Sequence, residues 1–261
     1  MNSPEHSAGY TVYWQPGCSS CLRAKEFLKN HDIDFESINI REVTGAMEQL
    51  EHLGARSIPV VSRGDEFVYA QDIDVLAGFV GVDSKRRILA VDDLYHRIEL
   101  LIDAAQRYLL QLDSGSLDNT LPGRDRSYFA LGYHVLMIPL AYMDALKGEE
   151  LSYDYFERTP PAKMDSIEKL NHYGDELKKR VSACRQEADN GHLPDTVQTY
   201  YGVHTTHSVL ERTAWHTAHH VRQLMELVRA QGIEPDGPLG DVELKGLPLP
   251  EEVYDDEVAM T

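Results

Sequence analysis

Cysteine is scarce in this chain. Three in 261 residues are too few for a disulfide framework, so a close pair in a reducing compartment reads as catalytic or metal-binding rather than as a structural staple. Long apolar runs are also missing. No stretch approaches the roughly 18 uninterrupted apolar residues of a membrane-spanning helix, and the opening MNSPEHSAGY lacks the basic-then-apolar pattern of a secretory signal. Cytoplasmic residence is the expectation. Positive charge is in deficit: 25 Lys and Arg stand against 43 Asp and Glu, a formal net charge of −18. That balance argues against nucleic acid or an anionic membrane as partner, since both are bound through clustered Lys and Arg. There is no internal repeat. What is present, a hydrophobic fraction of 42%, suffices for the cores of one or two globular domains.

The chain changes period near Val82. Before it, YTVYW, FESINI and PVVSRGDEFVYA read as strands, the last as a hairpin about Arg63, Gly64 and Asp65, while CLRAKEFLKNH, GAMEQLEHLG and DIDVLAGFVG read as helices. The order is β-α-β-α-β-β-α, a small sheet with helices on its faces. After it, strands disappear. Val91, Leu94, Tyr95, Ile98, Leu101, Ile102, Ala105, Tyr108, Leu109 and Leu112 form one helical stripe, and three more long helices are predicted at 127–146, 163–187 and 203–231. Four amphipathic helices make a bundle. The predicted organisation is an α/β domain over 1–82, a charged linker over 83–90, an all-α bundle over 91–234 and an irregular acidic tail over 235–261, the last dozen residues solvated.

Cys18 and Cys21 form a C-x-x-C where a strand gives way to a helix. The unpaired N–H groups and dipole of a helix N-terminus favour the thiolate of the first cysteine. Cys18 is then the nucleophile and Cys21, one turn on, the resolving thiol. A closed zinc site needs four ligands, and His31 and His52 would have to come from distant helices. Cys184, alone in a helical stretch, reads as a partly buried structural thiol. The segment resembles a glutaredoxin, on Tyr13 with PGCSSC, the spacing to RSIPVV and the closing helix. The resemblance implies a thioredoxin fold, a cis peptide between Ile58 and Pro59 beside the thiols, and a substrate-binding surface that includes Tyr13, Ile58 and Pro59. The two glycines that shape the family's glutathione pocket are replaced here by YAQDID, so the implied reductant is another thiol or a reductase protein.

In the last helix His216 and His220 are four residues apart and share a face with Val209, Thr213, Leu224 and Leu227, the inward one. An i, i+4 pair is the simplest helical chelate and needs a third ligand. His134 supplies one, on the apolar stripe Ala130, His134, Met137, Ile138 and Ala141 of the second helix. Three imidazoles with an open position suit zinc first, and nickel, iron or manganese as well. His219 is offset and reads as a neighbour rather than a ligand. The bundle resembles the DinB-like (DinB/YfiT) metalloproteins, on GYH in its second helix and WHTAHHVRQL in its fourth. The resemblance implies the same three ligands, a low-molecular-weight thiol as co-substrate, S-transferase or isomerase chemistry, and pairing into a homodimer. Arg222, Arg124 and Arg126 are candidates for a substrate carboxylate, surface ion pairs being the preferred reading of the last two.

These readings combine into a thiol-disulfide oxidoreductase fused to a metal-dependent, thiol-using enzyme acting on a small electrophile or mixed disulfide. The alternative is a redox-responsive binding or sensing protein with a structural metal.

Overall fold

A computed structural model of the chain describes residues 9–255. Residues 1–8, read above for a secretory signal, and 256–261, the end of the acidic tail, lie outside them. The chain divides into two compact units, one from residues up to 85 together with those from 250 on, the other from 86–249.

The first unit runs β1 (Tyr10–Trp14), α1 (Ser19–Asn30), β2 (Phe35–Asn39), α2 (Ala46–Leu53), β3 (Val60–Arg63), β4 (Glu66–Tyr69) and α3 (Ile73–Val80). This is the predicted element order. The strands lie β2-β1-β3-β4. β1 is parallel to β2, with Tyr10 opposite Phe35, and antiparallel to β3, with Val12 opposite Val61. Gly64, at φ +62° in the turn joining β3 to β4, takes the left-handed conformation that a two-residue hairpin loop needs. Cys21, Ala24 and Leu28 of α1 pack with Val12, Trp14, Val60 and Val61 of the sheet, the three-and-four spacing of one helix face.

The acidic stretch is not a free solvated tail over 250–255. Lys25 of α1 is 1% exposed, and its ammonium lies 3.6 Å from the centre of the Trp14 ring and 2.7 Å from the Asp255 carboxylate. The backbone N–H groups of Glu251 and Glu252 donate to the Glu26 carboxylate at 2.6 and 3.0 Å. A buried ammonium requires a counter-charge, and a segment more than two hundred residues downstream supplies it.

The second unit contains α4 (Val91–Gln111), α5 (Tyr128–Ala145), α6 (Asp154–Glu157), α7 (Ile167–Asp189), β5 (Thr196–Thr199), β6 (Gly202–Thr205), α8 (Thr206–Ala230) and α9 (Asp241–Leu244). The four long helices pack together, α4 and α5 each against α7 and α8. A Cβ on Gly132 would come within 2.6 Å of Leu109 Cδ2, so α5 approaches α4 closely two residues before His134. Strands do not in fact end at Val82: β5 and β6 form an antiparallel hairpin with Val197 opposite His204. Thr and Val in alternation favour that pairing, and the neighbouring Pro and Gly made the stretch read as a connection. The pairing delays α8 from 203 to 206, where Thr205 caps it by accepting from the Ser208 N–H at 3.1 Å. Ser166 caps α7 in the same way, so that helix begins at 167 rather than 163. Beyond 234 the chain is largely irregular, with the short α9, and it is held to α4 by Arg107 and Tyr108 donating to the carbonyls of Asp236 and Gly237. Among the described residues no helix is long and apolar enough to cross a membrane.

Asp255→Ala removes a carboxylate 2.7 Å from the buried Lys25 ammonium and should cost the first unit about 3 kcal/mol. Urea unfolding of the full chain measures it; an unchanged midpoint would mean that the Asp255 carboxylate contributes nothing to that unit.

Candidate functional site

Gly17, at φ +70°, turns the chain between β1 and α1, and Cys18 becomes the N-cap of α1, its Sγ accepting from the Cys21 N–H at 3.2 Å. The two cysteines are joined as a disulfide, with Cα atoms 5.2 Å apart. Cys21 is fully buried and Cys18 partly exposed. The accessible sulfur is therefore the one at the helix N-terminus, where the dipole stabilises a thiolate once the bridge is reduced. The Ile58–Pro59 bond is cis, as the resemblance implied. Gln71, 1% exposed, donates its side-chain amide to Ile58 O at 2.7 Å, and Arg23 donates to Gln71 O at 2.7 Å. Tyr13 is a core residue, 6% exposed, its hydroxyl donating to Gln49 Oε1 at 3.1 Å.

The histidine trio converges. His134 from α5 and His216 and His220 from α8 bring one ring nitrogen each to within 4.8 Å of one another, and all three are buried. His216 Nε2 and His220 Nε2 are 3.2 Å apart. Thr213 and Thr217, between and beside them on α8, return their hydroxyls to the carbonyls four residues back at 2.8 Å, so the helix interior leaves those groups satisfied. Two of the imidazoles are not satisfied: among the described residues neither nitrogen of His134, nor Nδ1 of His216, has a protein partner. A buried nitrogen without a partner costs about 1–3 kcal/mol, and a cation shared by three lone pairs removes that cost. Zn–N bonds of about 2.0–2.1 Å place tetrahedral donors about 3.3 Å apart, close to the separation on α8. His220 Nδ1 lies 2.7 Å from Gln223 Oε1. Since that oxygen only accepts, Nδ1 carries the proton and Nε2 presents its lone pair to the other two rings.

Electrostatics also favour neutral imidazoles. Burial above all, then the charge of Arg126 on His134 and of Arg212 on His216, pushes both pKa values well below the usual 6.5. Burial does the same to His220, followed by the neighbouring His219. His219 is lowered to about 3, by burial and then by Arg222. Arg126, read from the sequence as a surface ion pair, is instead the guanidinium that bears on all three imidazoles, whereas the other candidate, Arg222, stands beside His219. Arg124 pairs with Glu157 at 3.6 Å.

Three residues at this centre were missed in the sequence. Gln223 lies three positions after His220, and Arg212 four before His216, both neighbours by helical spacing. Phe156, whose ring stands 5.3 Å from that of His216 and 6.1 Å from that of His134, sits in a proline-bearing connection without period and gave no signal.

Comparison with known proteins bears on the first unit. The Glutaredoxin family model matches residues 10–68. The glutaredoxin-like protein NrdH of Lactococcus lactis subsp. lactis is 35% identical over 60 residues, 23% of this chain and 82% of that protein. Its counterpart in Escherichia coli K12 is 40% identical over 55 residues, 21% of this chain and 68% of the relative. Through its first unit the chain belongs to the glutaredoxin family. That unit is a thiol-disulfide oxidoreductase domain. The crystal structure of a thioredoxin-like protein aligns over 28% of this chain and 96% of its own, at 28% identity and a TM-score of 0.27.

His216→Ala should abolish stoichiometric zinc binding, and Gln223→Ala should weaken it about 10- to 100-fold, measured by competition with a chromophoric chelator. The lowered imidazole pKa values also set a sign. Below pH 6.5 an unfolded chain takes up protons that the folded one refuses, and each such histidine removes about 1.4 kcal/mol of stability per pH unit. The metal-free chain should therefore melt earlier at pH 5.5 than at 7.5.

Proposed function

We propose that the chain is a two-part thiol-chemistry enzyme: a glutaredoxin-like unit that exchanges thiols and disulfides, joined to a DinB-like four-helix metal unit that uses a low-molecular-weight thiol. The first part rests on the partly exposed Cys18 at a helix N-terminus over the buried Cys21. The Cys18 thiolate attacks one sulfur of a mixed disulfide and expels the other as a thiolate. Cys21 then attacks Cys18, releases the second thiol and leaves the Cys18–Cys21 bridge. Two electrons from a small thiol or a reductase protein reopen it. The place of the family's glycines is occupied by the buried Gln71, which favours a reductase protein or a thiol other than glutathione, with Tyr13, Ile58 and Pro59 near the docking surface.

The metal reading rests on three converging imidazoles, two of which, His134 and His216, keep nitrogens without a partner among the described residues. His134, His216 and His220 would hold a divalent cation, zinc in first place and nickel, iron or manganese after it. Such an ion lowers the pKa of a thiol or water in its open position. The residues of this chain hold the imidazoles neutral, fix the tautomer of His220 through Gln223 and exclude water with Phe156. The product would be a thiol adduct of a small electrophile, and residence in the cytoplasm and pairing into a homodimer fit the same reading. The enclosure of the three rings, none above 6% exposed, favours a second reading: a redox-responsive binding protein whose metal is structural. Cobalt-loaded protein separates the two, since a sulfur-to-cobalt absorption band on adding a small thiol requires an open position.

Cys18→Ser should abolish reduction of a small mixed disulfide and leave zinc content unchanged, whereas His216→Ala should empty the metal site and spare disulfide reduction. Loss of both properties in either variant would refute two independent centres.

A further inference from the structure

Phe156 ties two cationic side chains to the histidine trio. Its carbonyl accepts from Arg126 Nη2 at 2.8 Å, and the Arg212 guanidinium lies 5.1 Å from the centre of its ring. Arg212 is 5% exposed and donates Nη2 to the Tyr200 hydroxyl at 2.8 Å. Both arginine charges reach His216. Each guanidinium also keeps a buried N–H with no acceptor, at Arg126 Nη1 and at Arg212 Nε. Two other arginines of the unit are paired with carboxylates: Arg86 with Glu211 at 2.6 Å and Arg124 with Glu157 at 3.6 Å. Among the described residues Arg126 and Arg212 have no such carboxylate.

Buried Arg212 and half-buried Arg126, beside three neutral imidazoles, form a centre in which neither guanidinium has a carboxylate within ion-pairing distance among the described residues, Glu157 bearing on Arg126 only from further off. Uncompensated buried charge is costly, and a site that retains it is arranged for an anion that arrives from outside. A guanidinium N–H is matched to the oxygens of a carboxylate or phosphate. The rings of Phe156, Tyr200 and Tyr201, all within 5.7 Å of the Arg212 guanidinium, add an apolar wall suited to a carbon skeleton.

We infer that the centre takes a small organic carboxylate, its oxygens accepting from Arg126 and Arg212 and its remainder directed toward His134, His216 and His220. The reaction of that substrate rests on the metal reading above; its binding does not. Arg126 and Arg212 are thus specificity-determining residues, and the substrate class is an anionic one.

The test is an NMR titration of the full chain, metal-free and zinc-loaded, with propionate, its uncharged isostere propionamide, and inorganic phosphate. Propionate should bind the metal-free chain at least tenfold more tightly than propionamide and more tightly than phosphate. Arg126→Gln and Arg212→Gln should each weaken propionate tenfold or more with zinc content undiminished. Should either fail to fold, Arg126→Lys or Arg212→Lys, which keeps the charge without the fork, should still weaken propionate. Equal binding of propionate and propionamide, or wild-type propionate affinity in the arginine variants, would overturn the inference. Tighter binding of phosphate would overturn the carboxylate assignment. A chain that binds propionate as expected but takes up no zinc would sink the metal reading alone.

Discussion

The second unit is organised around a polar cost placed at its centre. Three imidazoles occupy positions where packing alone would select leucine, and among the described residues both nitrogens of His134 and Nδ1 of His216 have no protein partner. Core polar groups left in that state are uncommon and costly. Much of the surrounding detail follows from this constraint. The threonines of α8 close their hydroxyls on their own helix, Gln223 accepts a hydrogen bond from His220 Nδ1, and the Phe156 ring packs beside those of His134 and His216. α5 and α8 bring one nitrogen of each ring to within 4.8 Å of the others.

The first unit solves the opposite problem. Its reactive atom must be reachable, so chemistry is placed at a strand-to-helix turn and the partner sulfur is withdrawn into the core. Burial of Cys21 and partial exposure of Cys18 divide the labour between two residues of the same type. Here the protein spends little on electrostatic machinery, because the end of α1 already offers unpaired N–H groups to an anion.

What could be read from the sequence was whatever depends on local spacing. The strand-helix alternation, the C-x-x-C at its junction and the inward His216–His220 pair all express the period of one element. His134 was legible because an imidazole interrupted an apolar stripe. What escaped was whatever depends on two distant segments meeting. Phe156 stands in a stretch whose sequence has no period, and only the folded unit shows that it reaches the histidines and that Arg126, read as a surface ion pair, bears on them instead. The β5–β6 hairpin was hidden by its proline- and glycine-bearing surroundings. Arg212 and Gln223 were accessible in principle, one turn either side of the histidine pair, yet a charged or amide residue on a helix is ordinarily a surface feature and gave no reason for notice.

The first unit is built from two stretches of chain that bracket the second, since 250–255 returns to α1. During synthesis its sheet and helices leave the ribosome before the helical unit, but Lys25 waits for its carboxylate until that unit has been translated. The redox half thus starts before the helical half and closes after it, and a lesion that stops translation between them would leave the helical half whole while depriving the thiol half of its closing contact.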